Sequence, residues 1–579
     1  MTGLDWTMIL AYFALLAGVV VFTMKRKKIE TEKDLFLGGR SVGWLAIGAS
    51  IFAANIGSEH LIGLAGQGAL TGLSMSHWEF HAWVLIMMSW VFLPFYYNSG
   101  VSTMPEFLER RFGPKARWIL SLVSLAAYVL TKISVTVYAG ALFFEVMMPE
   151  VSLTIGGTVV SSFWIGAVLT VVLAGAYSSI GGLSAVVYTD LVQTFIILAG
   201  TLSVTGFALY HLGHSGVALA DGSTAQGITD GWAVLKQTIK STGSVEQFSL
   251  WHSLSHKSLP WLGVVVASVT IGVWYWCTDQ FIIQRTLAAK NLTNARRGAI
   301  WGGFLKLAPV FLFLVPGMLG FALHHNHVVV NGAQFAIPLK ESGALNGDAV
   351  FPTLVQSLLP VGFRGLVVAG MIAALMSSLA SLFNSVSTLF TVDVYQKLKP
   401  ETSQRKLVTI GRVTTVSMTA LGLLWLPIMK SIAGGGLYKY IQSVQSFLAP
   451  PIVAVFVLGL CWKRMNLKGA VWGLSVGFIL GMAKLAANAL WGGKDECAFI
   501  PDFYFSGILL VLSISIVVVA SLMAPAPDAK HLDGLNFKCL SPEYRKMNRE
   551  SWNWVDVLSS CIVVGLVVCA YAYFWTWLD

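Results

Sequence analysis

The stretch Gly48–Gly68, GASIFAANIGSEHLIGLAGQG, is apolar overall but contains polar residues suited to holding a cation or a polar solute. Its middle is Asn55-Ile56-Gly57-Ser58-Glu59-His60, and polar side chains are costly in hydrocarbon unless they face protein or water. A helix that unwinds there exposes carbonyl oxygens and two half-helix ends at the bilayer midplane. The sequence therefore predicts a broken, substrate-binding span. The alternative is a glycine-rich packing helix.

A second group of hydroxyls lies in Met376–Ser381, MSSLAS, with Asn384, Ser385 and Ser387 further along the same predicted span. Serines at adjacent and three-apart positions put several hydroxyls near one helical face, where they can ligate a hard cation together with carbonyl oxygens. A lone serine would more simply bond back to its own helix. The density of hydroxyls here favours a cation site.

Aromatic rings cluster in Trp274–Gln280, WYWCTDQ. Flat rings can stack on a sugar or close over a ligand, and Tyr275 adds a hydroxyl. An interfacial aromatic belt is the alternative. Charged residues also lie singly within apolar surroundings, and each is expected to face the protein interior: Glu79, Lys132, Asp190, Lys306 and Lys439, the last of these close to Gln442. Lys132 can be structural and Lys439 can snorkel, which leaves Glu79, Asp190 and Lys306 as the functional candidates.

Composition places these residues in a membrane protein. Of 579 residues, 56% are hydrophobic and 11% charged, and apolar runs recur along the whole chain, which argues against a soluble enzyme. The net charge of +10 lies mostly between those runs and does not indicate nucleic acid binding. The six cysteines show no metal or disulfide spacing, and only Cys497 is expected in an outer loop. The N-terminus lacks a basic leader, so the first apolar run is expected to be retained.

The sequence predicts an all-α fold with fourteen spans, at roughly 5–24, 43–67, 74–98, 117–148, 158–178, 183–211, 259–281, 300–324, 352–390, 408–430, 438–461, 469–491, 504–524 and 554–577, with bends in the longest runs. Six alternate loops carry 26 of the 38 Lys and Arg residues, namely 25–42, 99–117, 282–299, 391–407, 462–468 and 525–553. This side is expected to be cytoplasmic, with both termini outside.

The second to eleventh spans are expected to form two groups of five, and an odd number per group would invert the second group. The predicted units are therefore 1–42, 43–211, an outer loop at 212–258, 259–461 and 462–579. This symmetry predicts that the broken second span has a counterpart at 259–281. No nucleotide-binding loop, zinc helix or nucleophile elbow occurs, so uphill movement would draw on an ion gradient and no enzymatic activity or cofactor is expected.

Six blocks of the sequence resemble the sodium/glucose cotransporters of the sodium:solute symporter family: ASIFAANIGSEHLIGLAGQG, STMPEFLERRFG, YSSIGGLSAVVYTDLVQT, WYWCTDQFIIQRTLAAKN, SSLASLFNSVSTLFTVDVY and YIQSVQSFLAPPIVAVFVLGLCWKR. The resemblance implies two inverted five-helix repeats of the LeuT-like fold, one helix before and three after them, and coupled movement of sodium and sugar across a cell membrane without an obligate protein partner. It also implies a sodium site formed by Ser377 and Ser378 with the carbonyls of Ala53, Ile56 and Ala374.

The resemblance implies a sugar site formed by Asn55, His60, Glu79, Trp276, Lys306 and Gln442. Tyr275 resembles the inner gate, and Leu64, Trp78 and Tyr438 fall at the outer gate. A second sodium would involve Asp190, Ser378 and Ser381, but Ala380 replaces a hydroxyl of two-sodium members, which favours one sodium per sugar. Lys439 replaces an acidic residue of animal glucose carriers, so the identity of the hexose stays open. The short 525–553 loop suggests a bacterial protein.

The interpretation is a sodium-driven symporter that imports a glucose- or galactose-type hexose by alternating access. Myo-inositol, sialic acid or another organic solute remains an alternative cargo. A sensor or channel that keeps the fold without coupled transport is the alternative from a different class.

Overall fold

The computed structural model describes residues 1–26, 29–57, 59–340, 342–432, 437–491, 500–528 and 532–579. Ser58 in the predicted break and Cys497 in the predicted outer loop lie outside the described residues. Within these ranges the chain is almost entirely helical, and its four short strands form two separate antiparallel hairpins.

The first half of the chain contains thirteen described helices and one hairpin: α1 (Gly3–Arg26), α2 (Glu32–Leu37), α3 (Trp44–Asn55), α4 (Ala65–Thr71), α5 (Ser76–Glu79), α6 (Ala82–Met87), α7 (Leu93–Ser99), α8 (Met104–Phe112), α9 (Pro114–Ala127), α10 (Ser134–Met147), β1 (Leu153–Ile155), β2 (Thr158–Val160), α11 (Ser162–Gly213), α12 (Asp230–Ser241) and α13 (Val245–Phe248).

The second half of the described chain continues with α14 (Trp261–Gly272), α15 (Gln280–Leu287), α16 (Leu292–Leu305), α17 (Val315–His325), β3 (Val329–Val330), β4 (Ala333–Gln334), α18 (Val350–Leu358), α19 (Phe363–Thr388), α20 (Gln396–Leu398), α21 (Gln404–Ile432), α22 (Leu437–Cys461), α23 (Leu467–Trp491), α24 (Asp502–Leu522), α25 (Pro542–Glu550) and α26 (Trp554–Trp575). Short π-helical segments adjoin several helices, at Glu59–Leu64, Met88–Phe92, Tyr128–Ile133, Val273–Thr278, Val310–Leu314 and Leu389–Tyr395.

The helices are those of a multi-pass membrane protein. Among the described residues, eleven helical stretches are long and apolar enough to cross a bilayer, and three shorter helices, Trp44–Asn55, Ser134–Met147 and Ser162–Ala176, are also apolar. The apolar part of Phe363–Leu398 is 94% buried within the protein, against 22% for Trp554–Trp575. The core therefore lies around α19, while α26 presents most of its apolar surface to the surroundings.

The stretch that the sequence predicts to be broken is interrupted in the structure. α3 ends at Asn55, and helical geometry resumes at Glu59 as a π-helical segment that leads into α4. α4 then packs against α17 with little between the two backbones. A Cβ added at Gly68 would overlap the Leu314 carbonyl, and one at Gly317 would overlap the Ala65 carbonyl. Glycine is required at both positions because the backbones approach so closely.

A second interruption lies in the predicted counterpart span. α14 runs on through the π-helical segment Val273–Thr278, and the chain then extends at Asp279 before α15 begins. The Asp279 carboxylate caps α15 by accepting from the Phe281 amide at 3.2 Å. Capping satisfies one of the amides that the start of a helix leaves without a helical partner. This break is therefore closed by its own side chains.

Two predicted spans differ from the structure in their limits. The span 352–390 is two helices, because Leu359 precedes a proline and adopts extended geometry, and Gly362 then turns the chain with φ +84°. The spans 158–178 and 183–211 lie in α11, which consists of two helices that meet at Gly182, where φ is +56° and ψ is −166°. The hairpin β1–β2 also occupies the start of the predicted 158–178 span.

Candidate functional site

The interruption after α3 frees main-chain oxygens. The Gly57 amide donates to the Asn55 carbonyl at 3.0 Å, whereas in a continuous helix it would donate to Ala53. The His60 amide donates to Gly57 at 3.1 Å, so Ile56 likewise loses its regular helical donor. The carbonyl oxygens of Ala53 and Ile56 are consequently available to another partner.

Ser378 on α19 faces this break. Its hydroxyl lies 3.4 Å from the Ala54 carbonyl and 3.5 Å from the Ile56 carbonyl. Ala374 is one turn earlier on the same buried helix. Hydroxyl and carbonyl oxygens are hard ligands, and a group of them with no basic side chain among them suits a small alkali cation. The donor set formed by the break and α19 therefore fits a sodium ion.

Ser377 has a different partner from Ser378. Its hydroxyl donates to the Asp190 carboxylate, which also accepts from Ser50 at 2.5 Å. Ser50 in turn accepts from Arg285 at 3.0 Å. Ser381, which the sequence groups with Asp190 in a second sodium site, has a buried hydroxyl without a hydrogen-bond partner in the described chain. The structure thus joins Ser377 to Asp190 and leaves Ser378 toward the break.

A small cavity lies beside the break, and all six residues predicted to bind the solute line it: Asn55, His60, Glu79, Trp276, Lys306 and Gln442. They come from segments far apart in the sequence. The cavity measures about 40 Å³, and since a water needs roughly 10–15 Å³ of such space, it has room for about three waters. Admission of a sugar-sized solute would require these side chains to draw apart.

Glu79 is the centre of the polar network in this cavity. Its Oε2 lies 2.5 Å from Lys306 Nζ and 3.2 Å from His60 Nε2, and its Oε1 accepts from the Tyr438 hydroxyl at 2.5 Å. All four side chains are buried. A buried carboxylate is stable only when it is paired and hydrogen-bonded, and these partners meet that condition. A neutral solute can exchange hydrogen bonds with the network without adding net charge.

Lys306 extends the network to the other wall of the cavity. It donates to Asn55 Oδ1 at 2.8 Å, and Asn55 Nδ2 lies 3.3 Å from the Tyr275 hydroxyl. The ammonium lies 5.5 Å from the centre of the Trp276 ring, within the range of a cation–π contact. The Trp276 indole in turn donates to His81 at 3.4 Å. One chain of contacts therefore links the break, the cavity and the aromatic cluster.

Several polar atoms of the lining residues have no hydrogen-bond partner among the described residues: His60 Nδ1, Trp78 Nε1 and Gln442 Oε1. Buried polar atoms are almost always hydrogen-bonded, so unpartnered ones at one cavity call for a ligand or water. Donors and acceptors of this kind match the hydroxyl groups of a polyol.

Three of the residues predicted as gates line the cavity, namely Trp78, Tyr275 and Tyr438. Tyr438 donates to Glu79, and its backbone amide lies 2.9 Å from the position of a Cβ added at Gly63, so the two chain segments touch. The Tyr275 hydroxyl accepts from Asn55, and Tyr275 is only 8% exposed. Leu64 is buried next to Gly63 in sequence but is absent from the lining. The roles of these residues as gates remain predictions.

Beyond Tyr275 lies a buried ion pair. Lys132 Nζ is 2.5 Å from Asp279 Oδ2, and the Tyr128 hydroxyl donates to the other carboxylate oxygen. The ammonium also lies 4.5 Å from the centre of the Tyr275 ring and 4.4 Å from that of Phe281. The sequence leaves Lys132 as a structural residue, and the structure gives it a definite role in closing the second helix break.

Three polar residues of the cavity lining are absent from the predicted site, although the sequence offers a signal for each. Gln445 lines the cavity three residues after Gln442, which is the spacing of one helical face. His81 follows two residues after Glu79, and Glu59 immediately precedes His60. Lys439, noted as an isolated charge, is absent from the lining although it lies between Tyr438 and Ile441 in sequence.

The fold and the pairing of a cation-type site with a polar cavity are those of a secondary transporter. The profile of the sodium:solute symporter family matches residues 35–477. The chain belongs to this family.

Named relatives share most of their length with the chain. It is 40% identical to sodium/glucose cotransporter 2 of Rattus norvegicus over 564 residues, which cover 94% of this chain and 82% of the relative. It is 36% identical to sodium/myo-inositol cotransporter 2 of Homo sapiens over 550 residues, covering 92% and 78%. A solved structure of a Na⁺-coupled sialic acid symporter aligns with a TM-score of 0.72 at 20% identity, covering 91% of this chain and 99% of that one, and shares the fold.

Proposed function

We propose that this protein is a sodium-coupled symporter that carries a neutral polyhydroxylated solute, a hexose of the glucose or galactose type, into the cell by alternating access. The observation that carries the proposal is the shared position of the two sites. The freed carbonyl of Ile56 faces Ser378, while Asn55, one residue earlier, bonds to Lys306 in the cavity. Movement of this short segment changes both sites together.

The chemistry of the cavity selects a neutral solute. Glu79 and Lys306 neutralise each other at 2.5 Å, so an anionic solute would meet no surplus positive charge in this pair. Gln442 and His60 offer unpartnered polar atoms to hydroxyl groups. The Trp276 and Tyr275 rings, 4.8 Å apart at their centres, supply flat apolar faces on which a pyranose can lie.

The proposed membrane arrangement has fourteen spans, with inverted five-helix repeats at 43–211 and 259–461. The two helix interruptions, after Asn55 and at Asp279, fall in the opening span of each repeat. The six basic loops then face the cytoplasm and both termini face outward in a cell membrane. Tyr275 thereby becomes the inner gate, and Trp78 and Tyr438 the outer gate with Leu64 behind them.

In this mechanism sodium binds first, between Ser378 and the carbonyls of Ala53, Ile56 and Ala374. It holds α19 against the break and so fixes Asn55 and His60 at the cavity. The sugar then replaces internal hydrogen bonds of the Glu79 network, and Tyr438 closes over it. Release inward follows when sodium leaves and the Tyr275–Asn55 contact opens. One sodium per sugar is proposed, because Ala380 stands where two-sodium members of the family have a hydroxyl.

The test is uptake of labelled glucose and galactose into proteoliposomes with an inward sodium gradient. Uptake should require sodium, generate current and fall strongly in Ser378→Ala. Ser385→Ala is the matched control, since its hydroxyl bonds to its own helix at 2.9 Å. Uptake that is unchanged when choline replaces sodium contradicts the proposal.

Myo-inositol is the second candidate solute. Glu59 adds a second carboxylate to the cavity wall, whereas a pyranose usually needs an apolar surface for one face of its ring. A cyclic polyol suits a polar wall better, because it carries hydroxyls all round its ring. Competition of unlabelled glucose and myo-inositol against each labelled solute separates the two.

A further inference from the structure

Glu59 occupies a position between the two sites. It opens the π-helical segment that follows the break, and its side chain lines the solute cavity together with Glu79 and Lys306. It is also two residues from Gly57, which lies beside Ser378 of α19. The Glu59 carboxylate therefore lines the solute cavity, while the residue itself is a close sequence neighbour of the break that forms the cation-type site.

The geometry around Gly57 brings Glu59 close to the hydroxyl of Ser378. A Cβ added at Gly57 would lie 2.7 Å from Glu59 Oε2 and 2.9 Å from Ser378 Oγ. Two atoms that close to one point are less than about 6 Å apart, whereas two oxygens sharing one hard cation lie up to about 5 Å apart, since each metal–oxygen bond is about 2.4 Å. A small rotation of the glutamate side chain is therefore enough to bring the two oxygens within the distance at which they can share one cation.

The same geometry explains the glycine. Any larger residue at position 57 would occupy the space between the carboxylate and the hydroxyl. The Ile56 carbonyl, 3.5 Å from Ser378, borders this space from the main chain. A carboxylate, a hydroxyl and a freed carbonyl thus converge on one small volume, and all three are hard oxygen ligands.

We propose that the Glu59 carboxylate is a ligand of the coupling cation, and that it moves from the solute cavity toward Ser378 when the cation binds. The inference rests on the proposed function and adds a charged ligand to the hydroxyl and carbonyl set. Cation binding then removes a carboxylate from the cavity wall and neutralises its charge. The cavity offered to the solute changes because the cation is present, which links the two binding steps through one side chain.

The test uses purified full-length protein without solute, where only cation binding is measured. Sodium is titrated in sodium/choline mixtures of constant ionic strength, and tryptophan fluorescence and thermal stability report binding. Glu59→Gln should raise the half-saturating sodium concentration at least tenfold. Ser378→Ala should do the same, and Ser385→Ala, whose hydroxyl bonds to its own helix, should leave sodium binding within twofold of wild type.

Glu59→Asp is the second variant, because it keeps the charge and shortens the side chain by one carbon. It should bind sodium more tightly than Glu59→Gln in the same titration. A Glu59→Gln protein that binds sodium like wild type but has lost solute affinity overturns the inference and makes Glu59 a solute ligand. Wild-type protein that shows neither sodium binding nor sodium-dependent uptake overturns the proposed function itself, which is a distinct result.

Discussion

The two helix interruptions solve the same structural problem in opposite ways. The break after Asn55 leaves the carbonyls of Ala53 and Ile56 without their helical donors, and the Ser378 hydroxyl lies 3.5 Å from the Ile56 carbonyl. The break at Asp279 is completed by the protein, because the carboxylate caps α15 and pairs with Lys132. The first break offers carbonyl oxygens to a cation, whereas the second is completed by side chains of the protein. The first break is therefore suited to binding a cation, and the ion pair at the second break is suited to holding that part of the chain closed.

The largest expected effect comes from the network that joins the first break to the cavity. Glu79→Gln removes the charge partner of Lys306 and should lower solute uptake at saturating sodium by a hundredfold or more. Breaking a buried ion pair from one side costs on the order of 3–5 kcal/mol of stability, so the thermal midpoint should also fall.

The double variant Glu79→Gln with Lys306→Met separates these two losses. It removes the unpaired ammonium and should recover most of the thermal stability while uptake stays low. Recovery of uptake in the double variant would show that Glu79 acts only by neutralising Lys306.

The next effect concerns the cation side of the comparison. Ser378→Ala removes one oxygen of the proposed cation site, and a loss of about 1.4 kcal/mol corresponds to a tenfold weaker affinity. The half-saturating sodium concentration for uptake should therefore rise about tenfold, with the maximal rate less affected. Ser377→Ala is the matched neighbour, and since Ser377 bonds to Asp190, it should shift sodium affinity less. Equal shifts in both variants would contradict the distinction drawn between the two serines.

The Lys132–Asp279 ion pair at the second break should respond differently. Lys132→Met unpairs Asp279 and should favour opening on the Tyr275 side without weakening sodium binding. Cys277 is fully buried next to Tyr275 and can report this opening. With the other five cysteines replaced, a thiol reagent should modify it about five times faster in Lys132→Met than in Lys132→Arg, which keeps the charge. Equal rates would mean that the ion pair does not hold this side closed.

The smallest effect is expected for Tyr275→Phe. The variant keeps the ring and removes one hydrogen bond, to Asn55 at 3.3 Å. A single such bond contributes about 0.5–1.5 kcal/mol, which corresponds to a change of roughly two- to tenfold. Solute affinity or release rate should change by that much, with sodium affinity retained, as measured by uptake kinetics over a range of solute concentrations.

The sequence predicts the broken span well because the evidence for it is local. Gly57 and the polar residues beside it cannot continue an apolar helix without cost, and the break falls among them. The family resemblance names residues from distant segments, and the structure brings Asn55, Glu79 and Lys306 into contact. Their roles in binding remain predictions.

The parts that the sequence misses depend on contacts across the fold. No pattern near Lys132 shows that Asp279, 147 residues later, is its partner. Ser377 and Ser378 are adjacent and chemically identical, so only the packing of α19 shows that one reaches Asp190 and the other the break. The turn at Leu359–Gly362 had a local signal in Pro360 and Gly362, but the apolar run around it predicts a continuous span.

The interlock of α4 with α17 has a mechanical consequence. Where Gly68 and Gly317 let two backbones touch, no layer of side chains remains on which one segment can slide past the other. We therefore expect α4 and α17 to move as one rigid body that rotates about the unwound residues near Gly57. Gly317→Ala is therefore expected to displace the pair and to slow uptake at saturating sodium and solute, as measured in proteoliposomes.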